Sequence, residues 1–254
     1  MKRAATFVPH GSSPRLFVRK EFHRQSLWTQ ALGEPPSTHG EPIHAVGRTI
    51  VRRWDPSRSK LAAGLLLGYD GPIPHVGETW LYLGAANGTT ASHVADLVGP
   101  AGQVVAVERS PRTFVRLLAL ARRYPNLLPV LADARSPEEY GGLVPPADGI
   151  YADVAQPDQV AIVRANAHWF LRGDGAVLLA LKTASMGRDR PEAEHATTAQ
   201  EEMRRFVAVG TALRLDPFHR RHFLLGGRMT SVRTEGSRRP RRATRSRDGR
   251  PAGP

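Results

Sequence analysis

The chain has no cysteine. That excludes disulfides and thiolate metal sites, and it fits a reducing compartment. Acidic residues are scarce: 23 Asp and Glu stand against 36 Lys and Arg, for a formal net charge of +13. Such an excess points toward a polyanionic partner, nucleic acid first. Heavy arginine usage alone gives the same excess, so charge by itself leaves the partner open. No apolar run approaches the roughly 20 residues of a membrane span, so no membrane partner is expected. The opening "MKRAATFVPHGSSPRLF" is positive but lacks the apolar core of a signal peptide. A cytoplasmic location is the expectation. No cluster of His, Asp and Glu has ligand spacing, so no metal is expected.

A length of 254 residues suits one α/β domain with a small appendage. Residues 1–54 hold two β-like pieces, "RLFVRKEF" and "AVGRTIVRRW", around the Pro/Gly-rich "ALGEPPSTHGEP". They predict a small N-terminal β unit. Residues 55–232 change character. "DPSRSKLAAGLLLG" reads as a short helix. Apolar strands then alternate with helices over 90–98, 111–122, 137–143, 158–170 and "RPEAEHATTAQEEMRRFVAVG". Two closing strands, "ALRLDPF" and "HFLLGGRM", can pair antiparallel. The expectation is an α/β fold: a doubly wound, mostly parallel, Rossmann-like sheet. Residues 233–254 hold eight Arg against Glu235 and Asp248 and show no apolar pattern. They read as a basic, disordered tail able to add sequence-independent phosphate contacts.

In open α/β sheets, ligands sit at the carboxyl ends of the strands. Here the first strand feeds a loop from Gly84, "LYLGAANGTT", and the next four end at Glu108, Asp133, Asp153 and Lys182. Capping of the following helices does not require the first two acids. Ser110 and Pro111 can start one helix. Ser136 through Glu139 match a capping box for the next. An acid ending the second strand suits ribose hydroxyls, and Asp133 could accept from an adenine amino group. The loop reads G-x-x-x-G, Gly84 to Gly88, rather than the G-x-G-x-x-G that a pyrophosphate favours. These features suit S-adenosylmethionine (SAM) better than NAD. Both glycines would let the backbone pass close to the methionine portion.

"YLGAANGTTASHVADLVGPAGQVVAVE", "DAR", "YADVAQPDQ", "NAHWFLR" and "RSKLAAGLL" together resemble fibrillarin, in its short archaeal type, over roughly residues 45–229. The resemblance implies a SAM-dependent 2′-O-methyltransferase of box C/D guide ribonucleoproteins, acting on rRNA or tRNA. It implies as partners a guide RNA and target RNA, a Nop-type scaffold protein and a kink-turn-binding ribosomal-protein homologue. The cofactor site it implies comprises Gly84, Ala85, Thr89, Thr90, Glu108, Arg109, Asp133, Ala134, Asp153, Val154, Ala155 and Gln156. The implied catalytic tetrad is Lys60, Asp153, Lys182 and His222. Four departures stand out. Asn87 replaces a more usual Ser, and Arg109 an aromatic. "PFHRRH" makes His219 a rival to His222, and no Gly/Arg-rich domain is present.

On this reading a ribose 2′-hydroxyl must be oriented and deprotonated. Lys182 would sit beside it, as a base if neutral or as a stabiliser of the alkoxide if charged. Asp153 would hold Lys182, while Lys60 and His222 would orient the ribose or its phosphates. Three other readings remain. They are a methyltransferase for a small molecule or a protein glutamine, an RNA-binding assembly factor of weak activity, and an NAD-dependent enzyme.

Overall fold

The computed structural model describes residues 6–21 and 24–230. The tail read over 233–254 lies outside them. The first sheet holds β1 (Thr6–His10), β2 (Ser13–Glu21), β3 (Arg24–Gln30), β4 (Ile43–Val46) and β5 (Thr49–Trp54). All pairings are antiparallel, in the order β1-β2-β3-β5-β4. The sequence patterns announced two pieces where there are five strands. Pro9 masks β1: proline lacks a ladder donor and survives only at an edge, which is where β1 lies. "AVGRTIVRRW" is a hairpin rather than one strand, because Gly47 turns the chain at φ +59°.

The second sheet holds β6 (Thr79–Leu83), β7 (Gln103–Glu108), β8 (Leu127–Leu131), β9 (Ala147–Ala152), β10 (Leu171–Lys182), β11 (Val207–Val209), β12 (Leu213–Arg214) and β13 (His222–Met229). Its order is β11-β13-β10-β9-β6-β7-β8, with β12 beside β13. β6 to β10 run parallel. β13 is antiparallel to β10, and β11 and β12 are antiparallel to β13. The helices are α1 (Lys60–Leu66), α2 (Thr89–Val98), α3 (Pro111–Ala121), α4 (Pro137–Tyr140), α5 (Gln159–Phe170) and α6 (Glu192–Arg204). This is the doubly wound α/β architecture with an N-terminal β unit.

Side-chain alternation divides the core. Trp80, Tyr82, Leu178, Ala180 and Leu224 pack with Leu61 of α1, Val94 of α2 and Leu16 and Trp54 of the first sheet. Their neighbours Leu81, Leu83, Leu179, Leu181 and Phe223 pack on the other face with Val163 of α5 and Met203 of α6. Successive strand residues point to opposite faces. Lys182 and His222 therefore continue the α1 face, and Thr183 and Arg221 the α6 face.

Two helices differ from expectation. α1 starts at Lys60 rather than Asp55, because Asp55 Oδ1 accepts from the N–H and hydroxyl of Ser57 at 2.9 and 2.8 Å and closes a turn first. Ser59 then caps α1 by accepting the Ala62 N–H. α6 ends at Arg204, and Val207–Val209, which was read as helix, becomes β11. Its β-branched valines extend the ladder on β13. Among the described residues no helix is long and apolar enough to cross a membrane.

A buried ionic clamp joins the two sheets through α2. Arg52 is 0% exposed and reaches Asp96 Oδ2 at 2.6 Å, Glu41 Oε1 at 2.7 Å and Ser92 Oγ at 2.9 Å. Asp96 also accepts from the Thr29 hydroxyl at 2.7 Å and the Leu32 N–H at 2.9 Å. The Thr29 hydroxyl proton is thereby used, so Thr29 Oγ1 accepts from His93 Nδ1–H at 2.8 Å.

Candidate active site

β6 and β9 are neighbours, yet the strands that follow them spread toward opposite edges of the sheet. At such a switch point a crevice opens beyond the strand ends. A cavity of about 240 Å³ lies there. Its wall includes Gly84 after β6, Glu108 and Arg109 at the end of β7, Asp133 and Ala134 after β8, and Asp153, Val154, Ala155 and Gln156 after β9. Ala85, Thr89 and Thr90, assigned to the cofactor through the resemblance, do not line it. Thr90 instead gives its hydroxyl to Ser59 Oγ at 3.1 Å, tying α2 to the start of α1. Thr89 gives its own to Asn87 Oδ1 at 3.1 Å, which accounts for the asparagine in the loop. The wall also takes Ala86, Val107, Ala132 and Ile162. Val107 and Ala132 sit one residue inside strand-end acids and could have been found by stepping inward. Ile162 lies on α5 and had no signal beyond being apolar.

The loop glycines divide their work. Gly84 has φ +78°, and a Cβ there would sit 2.6 Å from the Asp153 carbonyl oxygen. Its bareness lets the ends of β6 and β9 abut under the cavity. Gly88 has φ +86°, and its Cβ would sit 2.3 Å from Leu120 Cδ2. The expectation that Gly88 brings backbone close to a ligand is therefore corrected: it makes room for α3. Ala86 holds φ +49° without being glycine. Glu108 stabilises that conformation by accepting the Ala86 N–H on Oε2 at 2.8 Å. On Oε1 it accepts the Ser110 N–H at 2.7 Å. Local structure thus does use Glu108, contrary to the capping argument. A carboxylate offers about four lone-pair sites, so roughly two remain for a ligand.

Asp133 was read as spared by a capping box at Ser136, but Ser136 makes no side-chain cap bond. The carboxylate binds Arg135 instead, with Oδ2 2.7 Å from Nη2 and Oδ1 3.0 Å from the backbone N–H. The Arg135 hydrogen bond draws the Asp133 pKa down to about 2. Arg109, in place of an aromatic, reaches within 3.8 Å of Asp133 Oδ2.

The four tetrad residues fall into two pairs, and Asp153 of the first lines this cavity. Lys60 Nζ donates to both oxygens of Asp153, at 2.7 and 2.8 Å. Asp153 was expected to hold Lys182; it holds Lys60. Lys182 is placed by its backbone: its N–H donates to Gln159 Oε1 at 2.8 Å, and its carbonyl accepts from Gln159 Nε2 at 3.1 Å. Lys182 and His222 are directly paired across β10 and β13, on one face. His222 Nδ1 lies 2.8 Å from the Arg220 carbonyl. A carbonyl only accepts, so Nδ1 carries the proton and the lone pair of the neutral ring is on Nε2. Burial, with Lys60 assisting, draws the His222 pKa below the usual histidine value. His219, the rival, sits edge-on to His222 at 5.9 Å, and its Nε2 is spent on the Pro56 carbonyl at 2.7 Å. A larger groove of about 830 Å³ beside residues 68–72 and Gly226 contains none of these groups.

The fibrillarin family model matches residues 7–231. The chain belongs to the fibrillarin family. It is 37% identical over 231 residues to an rRNA 2′-O-methyltransferase fibrillarin of Eremothecium gossypii, covering 89% of this chain and 70% of the relative. It is 36% identical over 233 residues to a fibrillarin-like rRNA/tRNA 2′-O-methyltransferase of Staphylothermus marinus, covering 90% and 98%. Two solved fibrillarins superpose well. That of Aeropyrum pernix, with natively bound S-adenosyl-L-methionine, gives a TM-score of 0.78 at 35% identity over 89% of this chain and all of its own. One in complex with Nop5p gives 0.73 at 37% identity over 81% and 94%.

Proposed function

We propose that this fibrillarin transfers a methyl group from SAM to a ribose 2′-hydroxyl of rRNA or tRNA within a box C/D guide ribonucleoprotein. The observation that carries the reading is the Lys60–Asp153 pair at a crevice walled by Glu108 and Asp133, with the Lys182–His222 rung on the next two strands beyond β9. The donor set fits SAM. Glu108 keeps lone pairs for ribose hydroxyls, and Asp133 can accept from an adenine amino group. Val107, Ala132, Ala134 and Ile162 offer small or apolar surface for a flat base. When bound, SAM supplies a methyl made electrophilic by its sulfonium.

The chain's own residues do the rest. Lys60 fixes the Asp153 carboxylate at the crevice. The transferred methyl needs a nucleophile that loses a proton, and His222 Nε2 offers a lone pair to take it. Lys182, opposite His222, places positive charge beside the oxygen as it develops negative charge. A Nop-type scaffold is the expected protein partner, supported by similarity to the fibrillarin solved with Nop5p. A kink-turn-binding ribosomal-protein homologue completes the proposed particle. The archaeal type is part of the same proposal.

The test supplies labelled SAM to the protein with and without guide RNA, scaffold protein and complementary RNA. Label on a ribose 2′-oxygen only in the full mixture is the expected result. Equal label on unguided RNA would remove guide dependence. No label at all would leave an assembly factor.

A further inference from the structure

One rung beyond the Lys182–His222 pair, the chain builds a second, smaller pocket. The Thr183 N–H and hydroxyl both donate to the Arg221 carbonyl, at 3.1 and 3.0 Å, and hold the ends of β10 and β13 together. A pocket of about 120 Å³ opens there on the α6 face. Its wall includes Thr183, Arg188, Arg190, Glu192, His195 and Arg221. None of these belongs to the cofactor crevice or the tetrad.

Three features mark it as a site for an anion. Three arginines face it against one carboxylate. Glu192 is engaged by Arg221 at 3.0 Å and by Arg214 at 3.1 Å, and Asp189 at the rim by Arg190 at 3.2 Å. Arg188 makes no ion pair among the described residues. His195 is 2% exposed and lines the pocket, yet its Nε2 has no hydrogen-bond partner. The nearest carboxylate oxygen, Asp189 Oδ1, stands 3.7 Å off. A buried polar atom left unpaired costs free energy unless a ligand or water completes it. The 13-residue α6 also begins at this mouth without a side-chain cap; the Glu194 and His195 N–H groups go to the Pro191 carbonyl, which leaves those of Glu192 and Ala193 available to an anion.

Resting on the methyltransferase reading, we infer that this pocket holds one backbone phosphate of the acceptor RNA strand. The phosphate oxygens would take hydrogen bonds from Arg188 and from His195 Nε2–H. Consecutive strand residues advance roughly 3.3 Å, so the pocket lies next to the pair that handles the target ribose, across the rim of the sheet. A strand gripped there is held in register while its neighbouring ribose lies on the α1 face. Phosphate contacts position a nucleic acid without reading its sequence, and guide-directed chemistry needs that of the enzyme.

The test uses the full chain and a fluorescent single-stranded oligoribonucleotide, with affinity followed across salt. Arg188→Ala should weaken binding about tenfold. It should also reduce the slope of log affinity on log salt by about 0.7, the value for one phosphate on a single strand. Arg188→Lys should recover most of both, while Arg164→Ala, on the exposed side of α5, should leave both unchanged. Equal effects of Arg188→Ala and Arg164→Ala, or no effect of either, would overturn the site. Inorganic phosphate is the second arm, read by the 15N shifts of His195. If it binds while RNA affinity ignores Arg188, the pocket takes free anions and the RNA assignment falls. SAM binding, measured in parallel by calorimetry, separates the two ideas. Its loss in the unaltered protein sinks the methyltransferase reading, whereas its presence with an Arg188-independent salt slope sinks only the pocket.

Discussion

Lys60 gives one ammonium group to both oxygens of Asp153, at 2.7 and 2.8 Å, across 93 residues of chain. Each side chain is 20% exposed, so the pair is shielded but reachable from the crevice. Lys60 is the first residue of α1, and Asp153 directly follows β9. Ser59, which caps α1, is in turn held by Thr90 of α2.

The pair orients a carboxylate rather than stabilising the fold. Lys60→Ala should slow single-turnover methyl transfer by about 10²-fold, the usual scale for one preorganised electrostatic contact. Lys60→Arg should restore part of the rate. Cofactor affinity should change far less than the rate, since Glu108 and Asp133 remain. A loss confined to cofactor affinity, with chemistry intact at saturation, would contradict this assignment.

His222 sets the acid limb of the pH–rate profile. Burial holds its pKa below the ordinary value of 6.5, so the neutral ring persists through neutral pH. The rate should be level around pH 7 and fall in mildly acidic buffer as Nε2 is protonated. His222→Gln should lower the rate by about 10²–10⁴-fold and flatten that limb. His219→Gln should leave the limb in place, because its Nε2 is committed to Pro56. An unchanged limb in His222→Gln would move the proton acceptor elsewhere, Lys182 first.

Glu108 links loop and ligand. Glu108→Gln keeps one acceptor oxygen but must place an amide against either the Ala86 or the Ser110 N–H, both donors. Hydrogen bonds to a charged group contribute about 1.5–3 kcal/mol, so SAM affinity should fall about 10- to 100-fold. Calorimetric titration with SAM measures it. An affinity unchanged in the variant would place the ribose elsewhere in the crevice.

Strand-end chemistry was legible in the sequence because charges closing apolar runs are conspicuous. Glu108, Asp133, Asp153 and Lys182 all stand out this way, and the parallel strands follow from apolar runs covered on both faces. What each charge touches was not legible. That Asp153 holds Lys60 and not Lys182 depends on where α1 crosses the sheet, a contact 93 residues apart with no local signature. The role of Gly88 against Leu120 is hidden for the same reason. The His195 pocket had no sequence signal, since a lone histidine on a polar helix says nothing of its burial.

Arg52 should prove the most sensitive position for stability. It is fully buried and satisfies Asp96, Glu41 and Ser92 at once. Removing one partner of a buried ion pair costs about 3–5 kcal/mol, because the other charge is left uncompensated. Arg52→Ala, followed by urea unfolding, should show a loss of that order. Lys182→Ala, partly exposed at the end of β10, should lie far below it. Comparable losses for the two would mean that the clamp contributes little.

Acid should loosen the same clamp through His93. Burial, with Arg52 nearby, holds the His93 pKa well below 6.5. Its proton on Nδ1 already serves Thr29, and its ring stacks on Trp54 at 5.0 Å. Above pH 6.5 the ring is neutral in the folded and unfolded chain alike, and it brings no pH dependence. Below 6.5 the unfolded chain takes up a proton that the folded chain refuses. Stability therefore falls with decreasing pH, by about 1.4 kcal/mol per unit for one such group, until the folded pKa is reached. His10, His39, His219 and His222 are also shifted down by burial and add to the slope. The depressed carboxylates Glu41 and Asp133 add a further loss only at lower pH, beginning near their ordinary values of 4.5 and 3.8 and running down to about 2, so the pH 7.5 to 5.0 window reads the histidines. Urea unfolding at pH 7.5, 6.0 and 5.0 should show the decline beginning near 6.5, and His93→Phe should have a shallower slope than the unaltered protein. Parallel profiles for the two would place the acid sensitivity outside the clamp.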